Sequence, residues 1–512
     1  MIDCFGLVPR PDFADFYDDC VLFDSMVVLA DEFFWGTAEL CSTQFCELGV
    51  SCVCKTPSEN NTNSSCDKPL KVFLEKKSSF LSQDSYDLTI SLGGVVVKAG
   101  DCAGAFYGMQ TVRQLVMTAD RKNGNVRLPL CTIKDTPEYQ WRGFMLDTCR
   151  HFQPVGFIKK LIDVAAMHKL NRFHWHLTDD QGWRLYIPEY PLLTEIGAFR
   201  YNSRAMWLGK TGGFYSHDDI REVVEYAMLR HVTVVPEIET PGHASAVLAS
   251  YPGLGCTGGP YRVEERYGIF DDVLCAGNDE VLKVFSSVFE TVCDLFPGEY
   301  VHIGGDECPR TNWKTCPKCQ SRMKSEGLHS EDELQNYLTV RFASMLEQKG
   351  KIPIGWDEVL DGTENLGLPK SLVVQSWRGI EGGRRACELG HKVVMSPQTQ
   401  GCYLDYKNYD DETEPGWIGC ATVKKSYDFS PVPKGCDISK DFVLGGQGNL
   451  WTEVIYAPRI AEYMLFPRLC ALAECLWLSQ DKKDFEDFSN RLEVHKKRLD
   501  LLDVNYYRGK LE

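Results

Sequence analysis

The chain has 512 residues, 44% hydrophobic and 12% aromatic, enough to bury a large core and more than one ordinary domain needs. A net charge of -17 leaves no basic stripe to neutralise phosphates, which argues against nucleic acid as a partner. No apolar run reaches the length of a bilayer span, and Met1-Ile2-Asp3-Cys4 lacks the basic and apolar regions of a signal peptide, so this start reads as a mature or trimmed terminus.

Apolar runs near Val21 and Val27 come first. Five of the 22 cysteines, Cys41, Cys46, Cys52, Cys54 and Cys66, then crowd together, a density that points to disulfides and an oxidising compartment. Two glycosylation sequons, Asn60-Asn61-Thr62 and Asn63-Ser64-Ser65, fall in the same polar stretch, which is expected as a surface loop. A secreted or lysosomal, extracytoplasmic location is therefore the expectation, with the cytoplasm as the alternative. From Tyr86 to Val97 the chain alternates, with Leu88, Ile90 and Leu92 set against Asp87, Thr89 and Ser91; it breaks at Gly93-Gly94 and resumes as Val95-Val96-Val97, the pattern of a hairpin. Ala103 to Met117 reads as a helix. These elements describe a small α/β domain over residues 1–137, with a cysteine-rich insertion at about 41–66.

Beyond Pro137, eight apolar runs each end in polar or aromatic residues, and most are followed by a helical stretch. Phe144 to Asp147 leads to Arg150, Phe173 to Leu177 leads to Asp179 and Asp180, and Val232 to Val235 leads to Glu237, Glu239 and His243. Val301-His302-Ile303-Gly304-Gly305-Asp306-Glu307 is the fourth. Ile352 to Gly355 leads to Trp356, Leu372 to Val374 to Trp377, Val393 to Met395 to Tyr403 and Asp405, and Val443 to Gly445 to Trp451 and Glu453. Helical segments at Val155 to His168, Asp218 to Leu229, Glu280 to Leu295 and Glu331 to Gln348 lie between them. Eight strand-then-helix units predict a (β/α)8 TIM barrel over residues 138–512, with a C-terminal helical extension and an active site at the strand C-termini. Cys316-Pro317-Lys318-Cys319 has the spacing of half a zinc site, but no second such pair follows at finger spacing; a loop disulfide or free thiols is the expectation, with no metal and no cofactor.

The richest of the strand ends is the fourth. Val301 and Ile303 alternate as in a strand, the glycine pair lets a ligand approach the backbone, and Asp306 and Glu307 arrive where the chain leaves the sheet. Four rings, Trp356, Trp377, Tyr403 and Trp451, converge on the same mouth as a box for a disc-like apolar face, which a pyranose presents. Arg150, Asp405 and Glu453 offer the charged, bidentate hydrogen bonding that vicinal hydroxyls require. A histidine after the third strand, His243, is placed to bridge Asp179 to Glu307 and tune the acid.

The runs Leu146-Asp147-Thr148-Cys149-Arg150-His151, His174-Trp175-His176-Leu177-Thr178-Asp179-Asp180-Gln181-Gly182-Trp183-Arg184, Pro241-Gly242-His243, His302-Ile303-Gly304-Gly305-Asp306-Glu307 and Gly355-Trp356-Asp357-Glu358 together resemble glycoside hydrolase family 20, the β-N-acetylhexosaminidases. The segment Ala105-Phe106-Tyr107-Gly108-Met109-Gln110-Thr111 is similar to that family's accessory α/β domain, whereas the cysteine-rich stretch has no counterpart in the resemblance. Neighbouring carboxylates on one strand point to opposite sides and do not readily straddle a glycosidic bond, and the family scheme answers this because the substrate's 2-acetamido oxygen is the nucleophile. The resemblance implies Glu307 as general acid and then base, Asp306 as the group that orients the acetamide, and Asp179 with His243 as a relay to Glu307. It gives Arg150 and Glu453 to sugar hydroxyls, Tyr403 and Asp405 to acetamide and hydroxyl groups, and Trp356, Trp377 and Trp451 to the hydrophobic box. It implies a glycan or glycoconjugate substrate, no cofactor, and a homodimer as one expected assembly.

Three rival readings stand beside it. A metal-dependent barrel hydrolase would use the two imidazoles of His174-Trp175-His176, but its later ligands should be histidines, and strands five and six end in tryptophans and acids. A lacto-N-biosidase of the same family would need a roomier pocket. An inactive carbohydrate-binding homologue would not need to keep Asp306, Glu307 and all four rings.

Overall fold

A computed structural model describes residues 5–61, 69–79, 82–201, 209–363, 365–436 and 438–512. Its N-terminal part is an eight-stranded mixed sheet whose main path runs Phe13–Phe23, Asn125–Asp135, Tyr86–Ser91, Gly94–Ala99, Leu70–Lys76, Ser25–Leu29 and Ser51–Lys55. The predicted hairpin is present, with Tyr86 opposite Ala99 and Ser91 opposite Gly94. The predicted helix spans Cys102–Met117 and starts where the Asp101 carboxylate accepts the Gly104 N–H at 2.7 Å. It is buried from Gly104 to Met117, as expected of a helix that is apolar on most of its faces.

Over its described residues, 41–61, the cysteine-rich stretch is not an insertion. Cys41 and Cys46 sit on a helix, Trp35–Glu47, and Cys52 and Cys54 on the edge strand Ser51–Lys55. All twenty described cysteines are unpaired, so the disulfide expectation fails for these four. The reason is geometric: Cys41 faces the core while Cys46 is exposed one and a half turns further along, and the Cys46 thiol meets the Cys52 carbonyl rather than its sulfur, at 3.4 Å. The first sequon begins in a 3-10 turn, Pro57–Asn61; Thr62, the second sequon and Cys66 lie outside the described residues.

The second part is a closed barrel of eight parallel strands: β1 Trp141–Asp147, β2 Arg172–His176, β3 Thr233–Thr240, β4 Tyr300–Gly304, β5 Ile352–Trp356, β6 Val373–Ser376, β7 Val393–Met395 and β8 Val443–Leu450. Each predicted run is one of these strands. The predicted helices appear at Val155–Met167, His217–Met228, Asp279–Leu295 and Glu331–Gln348. Their starts are written locally: Ser216 and Asp219 form a capping box, and Asn278 and Ser330 cap the next two. The barrel interior is closed at its N-terminal end by Trp141, Val235, Ile354, Val373 and Val394. Period-two alternation then puts Glu237 and Glu239 on the same inward face as Val235. Among the described residues no helix is long and apolar enough to cross a membrane.

Sheet and barrel are joined by buried charge. Lys169 donates to Asp135 at 2.6 Å and to the Tyr86 hydroxyl at 3.0 Å, and the other Asp135 oxygen accepts the Trp477 indole N–H at 2.7 Å. Arg142 of β1 donates to the carbonyls of Tyr139 and Lys169 and to Asp84, at 2.8–2.9 Å. Because Lys169 and Asp135 are both almost wholly buried, removing one partner strands the other. Lys169→Ala is therefore expected to destabilise the protein by about 3–5 kcal/mol, measured as a lower midpoint in thermal and urea unfolding; an unchanged midpoint would show that the pair does not hold the junction.

Candidate functional site

Strand register assembles the base of the site. His176 of β2 lies opposite Glu237 of β3, which lies opposite His302 of β4. Glu237 consequently receives His176 Nδ1 and the Trp356 indole N–H at 2.8 Å, while His174 Nε2 and His302 Nδ1 each stand 2.9 Å away, the latter accepting the Gly304 N–H at 3.0 Å. Burial opposes its charge, but the three imidazoles outweigh that and hold Glu237 well below the usual carboxylate range. His176 is held at about 10 against its own burial by Glu237 and Asp179, whereas burial takes His174 down to about 4. The third imidazole that a metal-dependent reading would need, His302, thus exists. All three rings lie against Glu237 beneath Trp356, and none lines the pocket.

Above this base, Asp179 accepts from His176 Nε2 at 2.8 Å and pairs with Arg150 Nη2 at 2.9 Å. Burial works against Asp179 too, and Arg150, His243 and His176 overcome it, so it is firmly ionised. Arg150 is held further by Asp147 at 3.2 Å and Gln181 at 3.0 Å, lies over the Trp451 ring, and approaches Glu453 at 3.7 Å. Its guanidinium is aimed before any ligand arrives.

Asp306 and Glu307 follow β4 on a bent backbone. Gly304, Gly305 and Glu307 all have positive φ, as does His243 (46°) in the loop facing them, and Glu307 (45°) is a non-glycine residue in that region. The group that approaches the glycines is Glu239, not a ligand: a Cβ on Gly304 would lie 1.8 Å from its Oε1, which accepts the Gly305 N–H at 3.1 Å. Burial, with Asp306 and Glu237 adding repulsion, pushes Glu239 well above the usual carboxylate range. The turn buries Asp306 and leaves the Glu307 side chain 35% exposed. Asp306 Oδ1 is buried and has no hydrogen-bond partner among the described residues. Burial raises Asp306 to about 6, with His243 pulling down and Glu307 pushing up.

His243 Nε2 stands 3.6 Å from Glu307 and 3.8 Å from Asp306. Its Nδ1 is 2.9 Å from Asp180 and 3.6 Å from Asp179. The hydrogen-bonded carboxylate is thus Asp180, one residue from the expected Asp179, whose Oδ2 is taken by Arg150 and His176 and whose Oδ1 accepts the Asp180 N–H. Asp180 is fixed in turn by the Ser245 N–H and hydroxyl at 2.9 and 2.6 Å. Although burial opposes it, Asp179, Asp180 and Glu307 keep His243 well above its ordinary value, as an imidazolium.

Ten of the eleven predicted residues line one cavity of about 250 Å³: Arg150, His243, Asp306, Glu307, Trp356, Trp377, Tyr403, Asp405, Trp451 and Glu453. Asp179 lies behind Arg150. Trp377 and Tyr403 stack with planes 13° apart, and the Trp377 N–H is held by Glu358 at 2.9 Å. Burial and the neighbouring Asp306 and Asp357 raise Glu358 to about 9. Tyr403 is not at the end of β7; it lies in the following loop and bridges to Asn449 of β8. Burial, and after it Glu453, puts Asp405 well above the usual range, and its Oδ1 also lacks a partner. Tyr267, Gly268, Ile269, Gln398, Tyr406 and Trp417 complete the lining. Sequence reasoning missed them because Tyr267, Gly268 and Ile269 lie in an irregular loop, and Gln398, Tyr406 and Trp417 lie on a 3-10 turn and two strands too short to show a period. A larger cleft, about 870 Å³, opens at the opposite end of the barrel around Arg172, His231 and Tyr300 and holds none of these groups.

Comparison with known proteins places this geometry. The profile described as "Glycosyl hydrolase family 20, catalytic domain" matches residues 139–480, and "Glycosyl hydrolase family 20, domain 2" matches 36–136, a span that includes the cysteine-bearing helix and strand. A beta-hexosaminidase of Porphyromonas gingivalis is 45% identical over 433 residues, 83% of this chain but 55% of the relative, so the chain spans little more than half of that protein. A beta-hexosaminidase of Akkermansia muciniphila is 32% identical over 86% of this chain and 88% of its own. The crystal structure of an exo beta-N-acetylglucosaminidase from Vibrio harveyi, in complex with N-acetylglucosamine, superposes with a TM-score of 0.87 at 31% identity, covering 99% of this chain and 78% of that one.

Gly304→Ala tests the bent turn. A side chain there meets Glu239 and sits at a positive φ, which alone costs about 1–3 kcal/mol. The thermal midpoint should fall and ligand affinity at the cavity should drop with it; a variant that melts with the parent would show that Glu239 moves aside freely.

Proposed function

Because the chain belongs to glycosyl hydrolase family 20, we propose that it is an exo-acting, retaining β-N-acetylhexosaminidase that releases terminal, non-reducing β-linked N-acetylglucosamine, N-acetylgalactosamine or both. The observation that carries this reading is the buried, unpartnered Asp306 oxygen beside a partly exposed Glu307 in a one-sugar cavity. An acetamide N–H is the donor that oxygen lacks. With the acetamide so held, its carbonyl oxygen attacks the anomeric carbon while Glu307 protonates the departing glycosidic oxygen. The resulting oxazoline-type intermediate carries positive charge, which ionised Asp306 offsets. Glu307, now a carboxylate, takes a proton from water, and that water opens the ring from the face the leaving group vacated, so configuration is retained.

Each group supplies a physical part of the barrier. An intramolecular nucleophile held in register is worth about 7–11 kcal/mol, and a positioned acid about 10²- to 10⁴-fold. His243, as an imidazolium, stabilises the Glu307 carboxylate formed by proton loss and is itself steadied by Asp180 and Asp179. Arg150, Asp405 and Glu453 take the sugar hydroxyls, and Trp356, Trp377 and Trp451 the ring faces. The cavity's size favours one sugar over the disaccharide that a lacto-N-biosidase must admit.

Glu307→Gln should keep affinity for N-acetylglucosamine and lose about 10²- to 10⁴-fold in kcat on substrates with poor leaving groups; near-normal turnover would sink the reading. The pH profile tests Asp306 separately. It acts ionised, so kcat/KM is full above its pKa and declines as pH falls through about 6. In Asp306→Asn this acid limb should vanish from the residual activity on a chromogenic N-acetylglucosaminide, while an unchanged limb would assign it to another group.

A further inference from the structure

Outside the pocket, four cysteines from three distant parts of the chain meet at one point. Cys256 and Cys275 bracket the loop after β3, where an isolated antiparallel bridge between Gly255 and Leu274 and the Cys275 N–H to Leu254 carbonyl bond at 2.8 Å bring the loop's two ends together. Cys316 and Cys319 open the helix Pro317–Glu326 in the excursion after β4. The Sγ separations are 3.8 Å for Cys256 to Cys319, 3.7 Å for Cys275 to Cys316 and 3.6 Å for Cys275 to Cys319, and all four sulfurs lie within 4.8 Å of one another.

These distances decide between the chemistries open to the set. A disulfide needs its sulfurs about 2.0 Å apart, far closer than any measured pair. Four sulfurs each about 2.3 Å from a common centre stand about 3.8 Å apart along the edges of a tetrahedron. The observed separations are those edges. Cys275, Cys316 and Cys319 are buried and Cys256 partly so, giving a closed site with no open position. A Cβ on Gly277 would lie 2.1 Å from the Lys318 backbone, so the two segments are already in contact.

We propose that Cys256, Cys275, Cys316 and Cys319 form a structural zinc site that clamps the pocket-rim loop to the segment following Asp306 and Glu307. An all-thiolate tetrahedron selects zinc or iron, and a closed site without redox work favours zinc. The clamp has a mechanical purpose. Residues 257–273 contain no helix or strand, yet Tyr267, Gly268 and Ile269 from this loop line the pocket. A loop of that length with no secondary structure of its own needs fixing at its ends if it is to shape a site. The second half of the Cys316/Cys319 motif would then be two single cysteines joined by the bridge; of the two expectations for this motif, free thiols and not a loop disulfide is what the structure has.

The test is metal content of the whole chain, purified with reductant and dialysed against metal-free buffer. Elemental analysis should find about one zinc per chain. Cys275→Ser and Cys316→Ser should lose it, melt lower and show a raised KM with a smaller change in kcat, whereas Cys293→Ser, a thiol outside the cluster, should keep it. If the serine variants do not fold, titrating the parent with a mercurial should release the zinc as the four clustered thiols are consumed, and cobalt exchanged into the parent should show the thiolate charge-transfer and d–d absorption of a tetrahedral site. Absence of zinc in the parent, iron in its place, or disulfide-linked peptides joining these cysteines would overturn the assignment.

Discussion

One buried carboxylate organises the barrel. Glu237 sits inside the barrel with no solvent exposure, and leaving such a charge uncompensated costs several kcal/mol. It is therefore met from three sides by His174, His176 and His302 and capped by the Trp356 indole. The constraint propagates upward. His176, charged because Glu237 is beside it, holds Asp179; Asp179 holds Arg150; and Arg150 reaches the cavity beside Glu453. Trp356 is locked by the same carboxylate from below. The groups that would read a sugar are thus set by the charge balance of the core, the rigid support that a preorganised site requires.

The two acids at the end of β4 depend on a different constraint, backbone strain. Glu307 and His243 both occupy the left-handed region, and they face each other across 3.6 Å. Such conformations persist only where surroundings over-determine them. Here the buried Glu239 carboxyl fills the space beneath Gly304 and binds the Gly305 amide. The outcome is a division of environment between adjacent carboxyls: Asp306 is buried and facing the pocket with an unused oxygen, and Glu307 is turned toward solvent beside an imidazolium. One group is placed to hold a substrate dipole, the other to exchange a proton with water.

Much of this was legible residue by residue. Short apolar runs ending in polar residues mark barrel strands because parallel strands are buried on both faces and end at the functional rim. Caps at Ser216, Asn278 and Ser330 are local events, and the helices accordingly begin within one residue of their predicted starts. Tyr403 was recognised as a site residue although its place in a loop bridged to β8 was not, since loop paths carry no period. The choice between Asp179 and Asp180 was also out of reach. Consecutive carboxylates diverge by a side-chain direction that depends on the turn Thr178 to Trp183, and on whether Arg150 or Ser245 arrives to claim each of them.

By itself the sequence determined the barrel, the residue types at its rim and the family to which the chain belongs, because periodicity and motif order are properties of neighbours along the chain. Only the tertiary structure decided pairing between distant positions. It drew His302 into the Glu237 cluster, set Asp180 against His243, and made a mixed sheet with buried free thiols out of what looked like a disulfide-bearing insertion. It also gathered Cys256 and Cys275 to Cys316 and Cys319, whose separations along the chain give no sign of a common centre. The physical reason is the same in each case: hydrogen bonds, charge compensation and the packing of side chains act over a few ångströms, and those distances exist only once the strands have closed.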